Sequence, residues 1–187
     1  MGYIISKFIF WLSGWKVKGQ MPEGVQKAVM IAAPHTSNWD FFWARAAFFI
    51  LKVPVRYTVK KELLKFPLNL ILNPLGAIGI DRSPKEVGQE RISMTDAMAN
   101  EFSNQSKLVV LVTPEGTRSY NPDWKTGFYR VAQKANVPIL CGFLDYENKI
   151  AGIGPSFEAS ENMEEQIEMI KDFYRPIKGK FPEKGVR

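Results

Sequence analysis

The sequence alternates between short apolar runs of strand length and longer helix-like stretches, and this alternation restricts the fold more than any other feature. The run AVMIAA (28–33) is continuously apolar, as in a strand that is buried on both faces. The next stretch, NWDFFWARAAFFILK (38–52), is helix-like and almost apolar all round, and VRYTVK (55–60) alternates as strands do. This part of the chain therefore predicts strand, helix and strand in succession.

The same alternation continues toward the C-terminus. It predicts a helix from Lys61, a strand at 77–80, and a helix opened by SPKE, in which Ser83 is placed to cap and Pro84 suits the first helical position. The remaining predicted elements are strands at 107–113, 137–144 and 149–154, a helix near 127–136, and a final amphipathic helix bearing Met163, Ile167, Ile170 and Phe173. Such alternation indicates one α/β domain whose mostly parallel central sheet is flanked by helices.

The N-terminal stretch YIISKFIFWLSGW (3–15) is apolar but too short to span a membrane, because a spanning helix needs about 20 apolar residues. It also lacks the basic start and the small-residue cleavage site of a signal peptide. Two alternatives remain: a helix packed on its own domain, or a helix in the membrane interface with Trp11 and Trp15 at headgroup level. We favour the interface, and predict a membrane-associating segment at 1–20 and a second domain at 21–187.

The chain carries a formal charge of +6, and the excess lies in its first third. Residues 1–65 hold ten Lys or Arg against three acidic residues, whereas the remainder is nearly balanced. Such a region suits an anionic partner: nucleic acid, a phospholipid surface or a phosphorylated substrate, although solubility alone also explains it. The single cysteine, Cys141, cannot form an internal disulfide and favours a cytoplasmic setting, and one cysteine with one histidine cannot form a His/Cys metal cluster.

The lone histidine, His35, follows directly on the first apolar strand, at the end where open α/β sheets place their ligands. Ser37 and Asp40 have the spacing of a capping box, which would open the next helix and turn Asp40 back toward His35. A carboxylate there would hold one ring nitrogen protonated and leave the other free to accept a proton. From these residues alone, a helix cap and a general base both remain open.

Two further strand ends bring polar residues to the same edge of the sheet. TPEGTRS (113–119) presents a guanidinium and hydroxyls beside a glycine turn, which suits a phosphate, although it is also typical of a surface turn in which Arg118 pairs with Glu115. GAIGIDR (76–82) ends with Asp81 and Arg82, whose default interpretation is an exposed ion pair. The sequence lacks a nucleophile elbow, a P-loop and a dinucleotide fingerprint, so direct transfer between two bound substrates is favoured.

In this order and at these intervals, HTSNWD, GAIGIDR and PEGTRS resemble the glycerolipid acyltransferase family, whose members include lysophosphatidic acid acyltransferases. The resemblance extends from about residue 29 to residue 137. It implies that His35, oriented by Asp40, is the general base that deprotonates the acceptor hydroxyl of a lysophospholipid. The acyl donor would be acyl-CoA or acyl-carrier protein as co-substrate, without a metal or other cofactor.

The same resemblance assigns the acceptor phosphate to the third motif, above all to Arg118. It also implies a location on the cytoplasmic face of the inner membrane. Nucleic acid is not expected as a partner, because the basic excess is modest and is interleaved with Trp and Phe residues that suit a membrane. The full set of implied substrate-binding residues is Glu115, Gly116, Thr117, Arg118, Arg82 and Lys60, with Lys61 an equal match to Lys60.

The chain departs from the family pattern at two places. VPILCG (137–142) has Cys141 where the family's fourth motif usually has a second proline, and only 34 residues precede His35. These departures leave open an acceptor other than lysophosphatidic acid, such as an aminolipid or another polar alcohol. A non-catalytic lipid-binding or protein-binding module is a further alternative, but such a module does not need the histidine and aspartate.

Overall fold

The computed structural model describes residues 2–60, 64–80 and 93–187, and within these residues the chain forms six α-helices and seven strands. The helices are α1 (Gly2–Ser13), α2 (Trp39–Leu51), α3 (Asn69–Leu72), α4 (Met94–Asn104), α5 (Gly127–Ala135) and α6 (Met163–Tyr174). The strands are β1 (Lys16–Lys18), β2 (Lys27–Ala32), β3 (Val55–Lys60), β4 (Ala77–Ile80), β5 (Leu108–Val112), β6 (Ile139–Asp145) and β7 (Ile150–Phe157). A 3₁₀ helix at Pro182–Lys184 lies near the C-terminus.

The strands form one sheet in the order β1-β7-β6-β2-β5-β3-β4. Neighbouring strands are parallel throughout, except that β6 and β7 are antiparallel. At the centre, Val29 of β2 lies opposite Val110 of β5 on one side and Ile139 of β6 on the other. The predicted α/β domain with a mostly parallel sheet and flanking helices is confirmed.

Helices cover both faces of the sheet, so the central strands are apolar on both sides. On one face, Val29, Ile31 and Val110 pack with the side chains of α4, α5 and α6. On the other face, Met30 and Val109 pack with Phe48 of α2. This double burial explains why the strand runs are continuously apolar instead of alternating.

The N-terminal helix is confirmed, but the predicted position of one of its tryptophans is wrong. Trp11 is 76% exposed on α1, whereas Trp15 lies beyond the helix and is only 7% exposed. The indole of Trp15 stacks on Trp43 of α2 at a centroid distance of 4.7 Å. Trp15 is therefore part of the core, and the residues after it form β1, an edge strand that the basic sequence KVK did not indicate.

Two predicted helix starts fall outside the residues that the structure describes. These are the start of the helix from Lys61 and the start capped by Ser83. In the described part of the chain, the corresponding regions contain the short α3 and the helix α4, and Ser93 caps α4. The predicted final amphipathic helix is present as α6, which contains all four of its predicted apolar residues. Among the described helices, none has both the length and the hydropathy that a membrane crossing requires.

Candidate active site

The histidine loop (33–38) and the PEGTRS loop (114–119) follow two neighbouring parallel strands, so both begin at the same edge of the sheet. β2 and β5 are directly paired, and His35 follows β2 while Glu115 follows β5. The Glu115 carboxylate accepts a hydrogen bond from the backbone N–H of His35 at 3.0 Å. Glu115 is only 5% exposed, and burial raises the pKa of its carboxyl group. This buried contact joins the histidine loop to the PEGTRS loop.

His35 and Asp40 are in direct contact, as their spacing predicts. Nδ1 of His35 lies 3.0 Å from Oδ2 of Asp40. The same carboxylate oxygen accepts the backbone N–H groups of Thr36 at 2.8 Å and Ser37 at 2.9 Å. Because α2 begins at Trp39, Asp40 stands in its first turn and its carboxylate reaches back over the loop.

The predicted capping box forms only in part. Asp40 bonds back to the N–H of Ser37, but the hydroxyl of Ser37 accepts the N–H of Trp39 at 3.2 Å and not that of Asp40. The residue at the cap position is Asn38, whose side chain makes no capping bond. The Asp40 carboxylate therefore contacts both the backbone at the start of α2 and the imidazole of His35.

Tyr146 is the member of this site that the sequence did not reveal. Its hydroxyl donates to Oδ1 of Asp40 at 2.7 Å, and its ring packs edge-on against Trp15. Burial and the adjacent carboxylate raise the pKa of Tyr146. Burial alone would raise the pKa of Asp40, but the hydrogen bonds from His35, Tyr146, Ser37 and Thr36 outweigh it and hold that pKa below its usual value.

The C-terminal segment at 178–181 packs against the histidine loop and the residues next to it. The backbone N–H of Phe181 donates to Oγ1 of Thr36 at 3.3 Å, and the N–H of Tyr146 donates to the carbonyl of Lys178 at 2.8 Å. A Cβ on Gly179 would lie 2.8 Å from the side chain of Thr36. Only a glycine at this position lets the segment approach so closely.

This geometry determines what the imidazole can do. If Nδ1 carries the proton that it shares with Asp40, then Nε2 keeps its lone pair and can accept a proton from a bound molecule. The His35 side chain retains 22% exposure, so it can reach such a molecule. General base catalysis requires an arrangement of this kind, an imidazole that is oriented by a carboxylate.

His35 lies at one side of a cavity of about 670 Å³ between α2 and the sheet. This volume is within the usual range for small-molecule sites. Apolar side chains line much of the cavity, and its polar rim includes Arg118 and Lys125. The apolar lining includes Phe41, Ala44, Phe48, Val55 and Leu111.

A smaller pocket of about 340 Å³ adjoins His35 and is formed by the PEGTRS loop, through Thr113, Gly116, Thr117, Arg118 and Ser119. Gly116 has a φ of +65°, which favours glycine, and a Cβ there would meet the Lys125 side chain. Among the described residues no ion pair joins Arg118 to Glu115, so that alternative for the turn is wrong. Lys125 is a second cation that sequence reasoning missed.

The other predicted binding residues are less completely described. Lys60 is the last residue of β3, where its backbone pairs with Ile80 of β4. Arg82 and Lys61 lie outside the described residues. In the part of the chain that the structure describes, no three His, Cys, Asp or Glu side chains are grouped as metal ligands would be. Cys141 is fully buried in β6, and burial raises the pKa of its thiol to about 12.

A family model described as Acyltransferase matches residues 15–141, more than half of the chain. The chain belongs to the acyltransferase family. This confirms the family that the three motifs predict, and it makes the protein an acyltransferase by family. The matched span contains His35, Asp40 and the PEGTRS loop, whereas Tyr146 lies beyond it.

Among solved structures, this acyltransferase resembles the crystal structure of the 1-acyl-sn-glycerophosphate (LPA) acyltransferase PlsC from Thermotoga maritima. The two chains are 16% identical, and the match has a TM-score of 0.61 over 92% of this chain and 74% of the other. At that identity the comparison supports the fold. A search of curated proteins gives no match.

Proposed function

We propose that this acyltransferase moves a fatty acyl group from a thioester donor directly to the hydroxyl of a lysophospholipid at a membrane surface. One observation carries the proposal. The imidazole of His35, held by Asp40 at 3.0 Å, faces a largely apolar cavity that has Arg118 and Lys125 on its rim. A fatty chain needs the apolar lining, a phosphate needs the cations, and a hydroxyl needs the base.

In the proposed reaction, Nε2 of His35 accepts the proton of the acceptor hydroxyl while that oxygen attacks the thioester carbonyl carbon. The carbonyl oxygen becomes negatively charged in the tetrahedral intermediate. When the intermediate collapses, the carbon–sulfur bond breaks and the thiolate leaves. The imidazolium, stabilised by Asp40, then returns its proton to the thiolate, so the base is regenerated.

We assign the acceptor phosphate to the smaller pocket, with Arg118 as its main cation. A phosphate bound there would lie next to His35, which lines the same pocket. The φ of Gly116 turns the loop so that it forms the pocket wall. Lys60 and Arg82 join this assignment through the family resemblance, and the solved relative is itself named as an LPA acyltransferase.

The donor is acyl-CoA or acyl-carrier protein, and the site of action is the cytoplasmic face of the inner membrane. The exposed face of α1 supports contact with a membrane surface, because Ile4, Phe8, Trp11 and Leu12 present apolar side chains to solvent. Lys7, Lys16 and Lys18 are also exposed, which suits contact with anionic headgroups.

The His35→Ala variant tests the proposal in a transfer assay with acyl-CoA and lysophosphatidic acid. We expect turnover to fall by about 10²–10⁴-fold, the usual contribution of general base catalysis. The exposed variant Asn148→Ala is the control, and circular dichroism and thermal melting check that both variants fold. Near-normal turnover by a folded His35→Ala protein would exclude His35 as the base.

The same assay separates the alternative acceptors. Arg118→Ala should raise the KM for lysophosphatidic acid much more than the KM for acyl-CoA, with exposed Arg130→Ala as control. Transfer to a phosphate-free lipid alcohol that is insensitive to Arg118→Ala would favour the different acceptor. Wild-type protein that binds these lipids but transfers to none of them would favour the non-catalytic binding module.

A further inference from the structure

Two buried polar groups in the wall of the main cavity have no role in the proposed transfer. They are Nε of Arg45, on α2, and the hydroxyl of Tyr57, on β3, and both residues line the cavity. Each of these atoms is shielded from solvent and has no hydrogen-bond partner among the described residues. A buried donor without a partner costs free energy, so native structures rarely keep one without a reason.

The rest of the Arg45 guanidinium is held in place by its surroundings. One terminal nitrogen donates to the carbonyl of Val55 at 3.3 Å, and the guanidinium lies over the Phe49 ring at 4.4 Å. Within the described residues Arg45 forms no ion pair with a carboxylate. The Val55 carbonyl and the Phe49 ring thus hold the guanidinium in place, whereas Nε has no hydrogen-bond partner among the described residues.

The position of these groups is informative because the cavity around them is apolar. Ala44 and Phe48 flank Arg45 on α2, and Leu111 lies opposite Tyr57 in the sheet. Arg45 is five residues beyond Asp40, so it lies about 7–8 Å farther along the helix axis. A hydrocarbon chain that enters the cavity beside His35 therefore passes the polar groups of Arg45 and Tyr57 part-way along its length.

We propose that Arg45 and Tyr57 bind an oxygen substituent on the hydrocarbon chain that occupies this cavity. Arg45 can only donate and the Tyr57 hydroxyl can donate or accept, so one acceptor oxygen satisfies both. On a hydrocarbon chain such an oxygen belongs to a hydroxyl or a carbonyl group. The inference rests on the proposed lipid acyl transfer. Its consequence is that the protein selects chains oxygenated near mid-chain over unsubstituted chains of the same length.

Direct binding tests this without requiring transfer. The protein is titrated calorimetrically with stearate and with hydroxystearate whose hydroxyl is near the middle of the chain. We expect wild-type protein to bind the hydroxylated chain about three- to tenfold more tightly, the usual yield of one net hydrogen bond. Tyr57→Phe and Arg45→Met should remove this preference.

Matched control variants stand outside the cavity. Exposed Arg56→Met controls for the loss of an arginine, and exposed Tyr120→Phe controls for the loss of a phenol; both should keep the wild-type preference. Tyr57→Phe removes only a hydroxyl that has no hydrogen-bond partner among the described residues, so the variant should still fold. Equal binding of the two chains by wild-type protein, or a preference that survives both cavity variants, would overturn the proposal.

Transfer assays then identify which lipid brings the oxygen. One arm compares hydroxystearoyl-CoA with stearoyl-CoA as donor, and the other compares lysophosphatidic acids with and without the chain hydroxyl. A Tyr57-dependent preference in the donor arm assigns the cavity to the donated chain, and in the acceptor arm to the acceptor chain. Because the binding preference does not require His35, it should persist in His35→Ala protein even if the proposed transfer reaction is wrong.

Discussion

The Asp40 carboxylate has four hydrogen-bond partners, which lie in two parts of the chain. They are the imidazole of His35, the backbone N–H groups of Thr36 and Ser37, and the hydroxyl of Tyr146. The first three are local and would hold the carboxylate in one plane. The fourth arrives 106 residues later and occupies the other oxygen, so it fixes the carboxylate against rotation.

Tyr146→Phe is therefore expected to lower kcat several-fold while leaving the KM of both substrates nearly unchanged. The hydroxyl does not line the cavity, so its loss alters the orientation of Asp40 and not the binding of lipid. Steady-state kinetics measure the two parameters, with Tyr120→Phe as control. A rise in KM without a change in kcat would show that Tyr146 acts on substrate binding instead.

The sequence predicted contacts in the site between residues that are close along the chain, but not contacts between distant residues. His35 and Asp40 are five positions apart, so the spacing of a strand end and a helix start was enough to predict their contact. Tyr146 contributes through a loop after β6, and its partner Trp15 was expected at a membrane interface. No local pattern reports such a contact, because it depends on the packing of α1, β1 and β6 together.

At the scale of elements, periodicity predicted the strands better than the roles of the helices. Continuous apolar runs identified β2 and β5 because burial on both faces allows few polar residues. The helix α2 was also recognised, but its almost uniform apolar character concealed that Arg45 lines the cavity and that Phe48 both lines it and packs on the sheet. The side of α2 that faces the sheet therefore contributes both to the core and to the cavity lining.

The helix α1 likewise has two faces, and they allow the membrane hypothesis to be tested by surface substitution. Phe10 is buried against the domain, whereas Trp11 and Leu12 are more than 70% exposed. Deleting residues 1–15 would remove the buried Trp15 as well, so a deletion cannot separate membrane binding from folding.

We expect Trp11→Ser combined with Leu12→Ser to weaken binding to anionic vesicles about tenfold or more, because each side chain contributes about 1.5–3 kcal/mol when fully buried. Vesicle co-sedimentation measures the binding, and Met169→Ser, an exposed apolar residue on α6, is the control. Transfer to a soluble short-chain acceptor should be unchanged. Full vesicle binding by the folded double variant would place the membrane contact elsewhere on the protein.

For the whole molecule, the sheet order explains why the predicted motifs converge. Because β2 and β5 are adjacent and parallel, residues that are 80 positions apart become neighbours, as Glu115 and His35 are. The sequence indicated which ends carry polar residues but not which strands are paired. Strand order depends on the packing of all the helices and was available only from the three-dimensional structure.

The contact between Glu115 and His35 also has a global consequence for stability. Burial raises the pKa of Glu115, and Oε2 of its carboxylate has no partner among the described residues. A raised folded-state pKa means that the contribution of Glu115 to stability is present below its unfolded pKa and is lost as pH rises through the folded value. Raising the pH through this range therefore lowers the free energy of unfolding.

We expect Glu115→Gln to raise the melting temperature at pH 7 by about 2–4 °C, the shift that about 1 kcal/mol produces in a chain of this size. The amide oxygen can still accept the N–H of His35, and the uncharged group avoids the desolvation of a carboxylate. The gain should disappear below about pH 4, where the wild-type carboxyl group is also neutral. Melting curves across this pH range measure the difference. A variant that melts lower than wild type at pH 7 would show that the charge of Glu115 stabilises the joined loops.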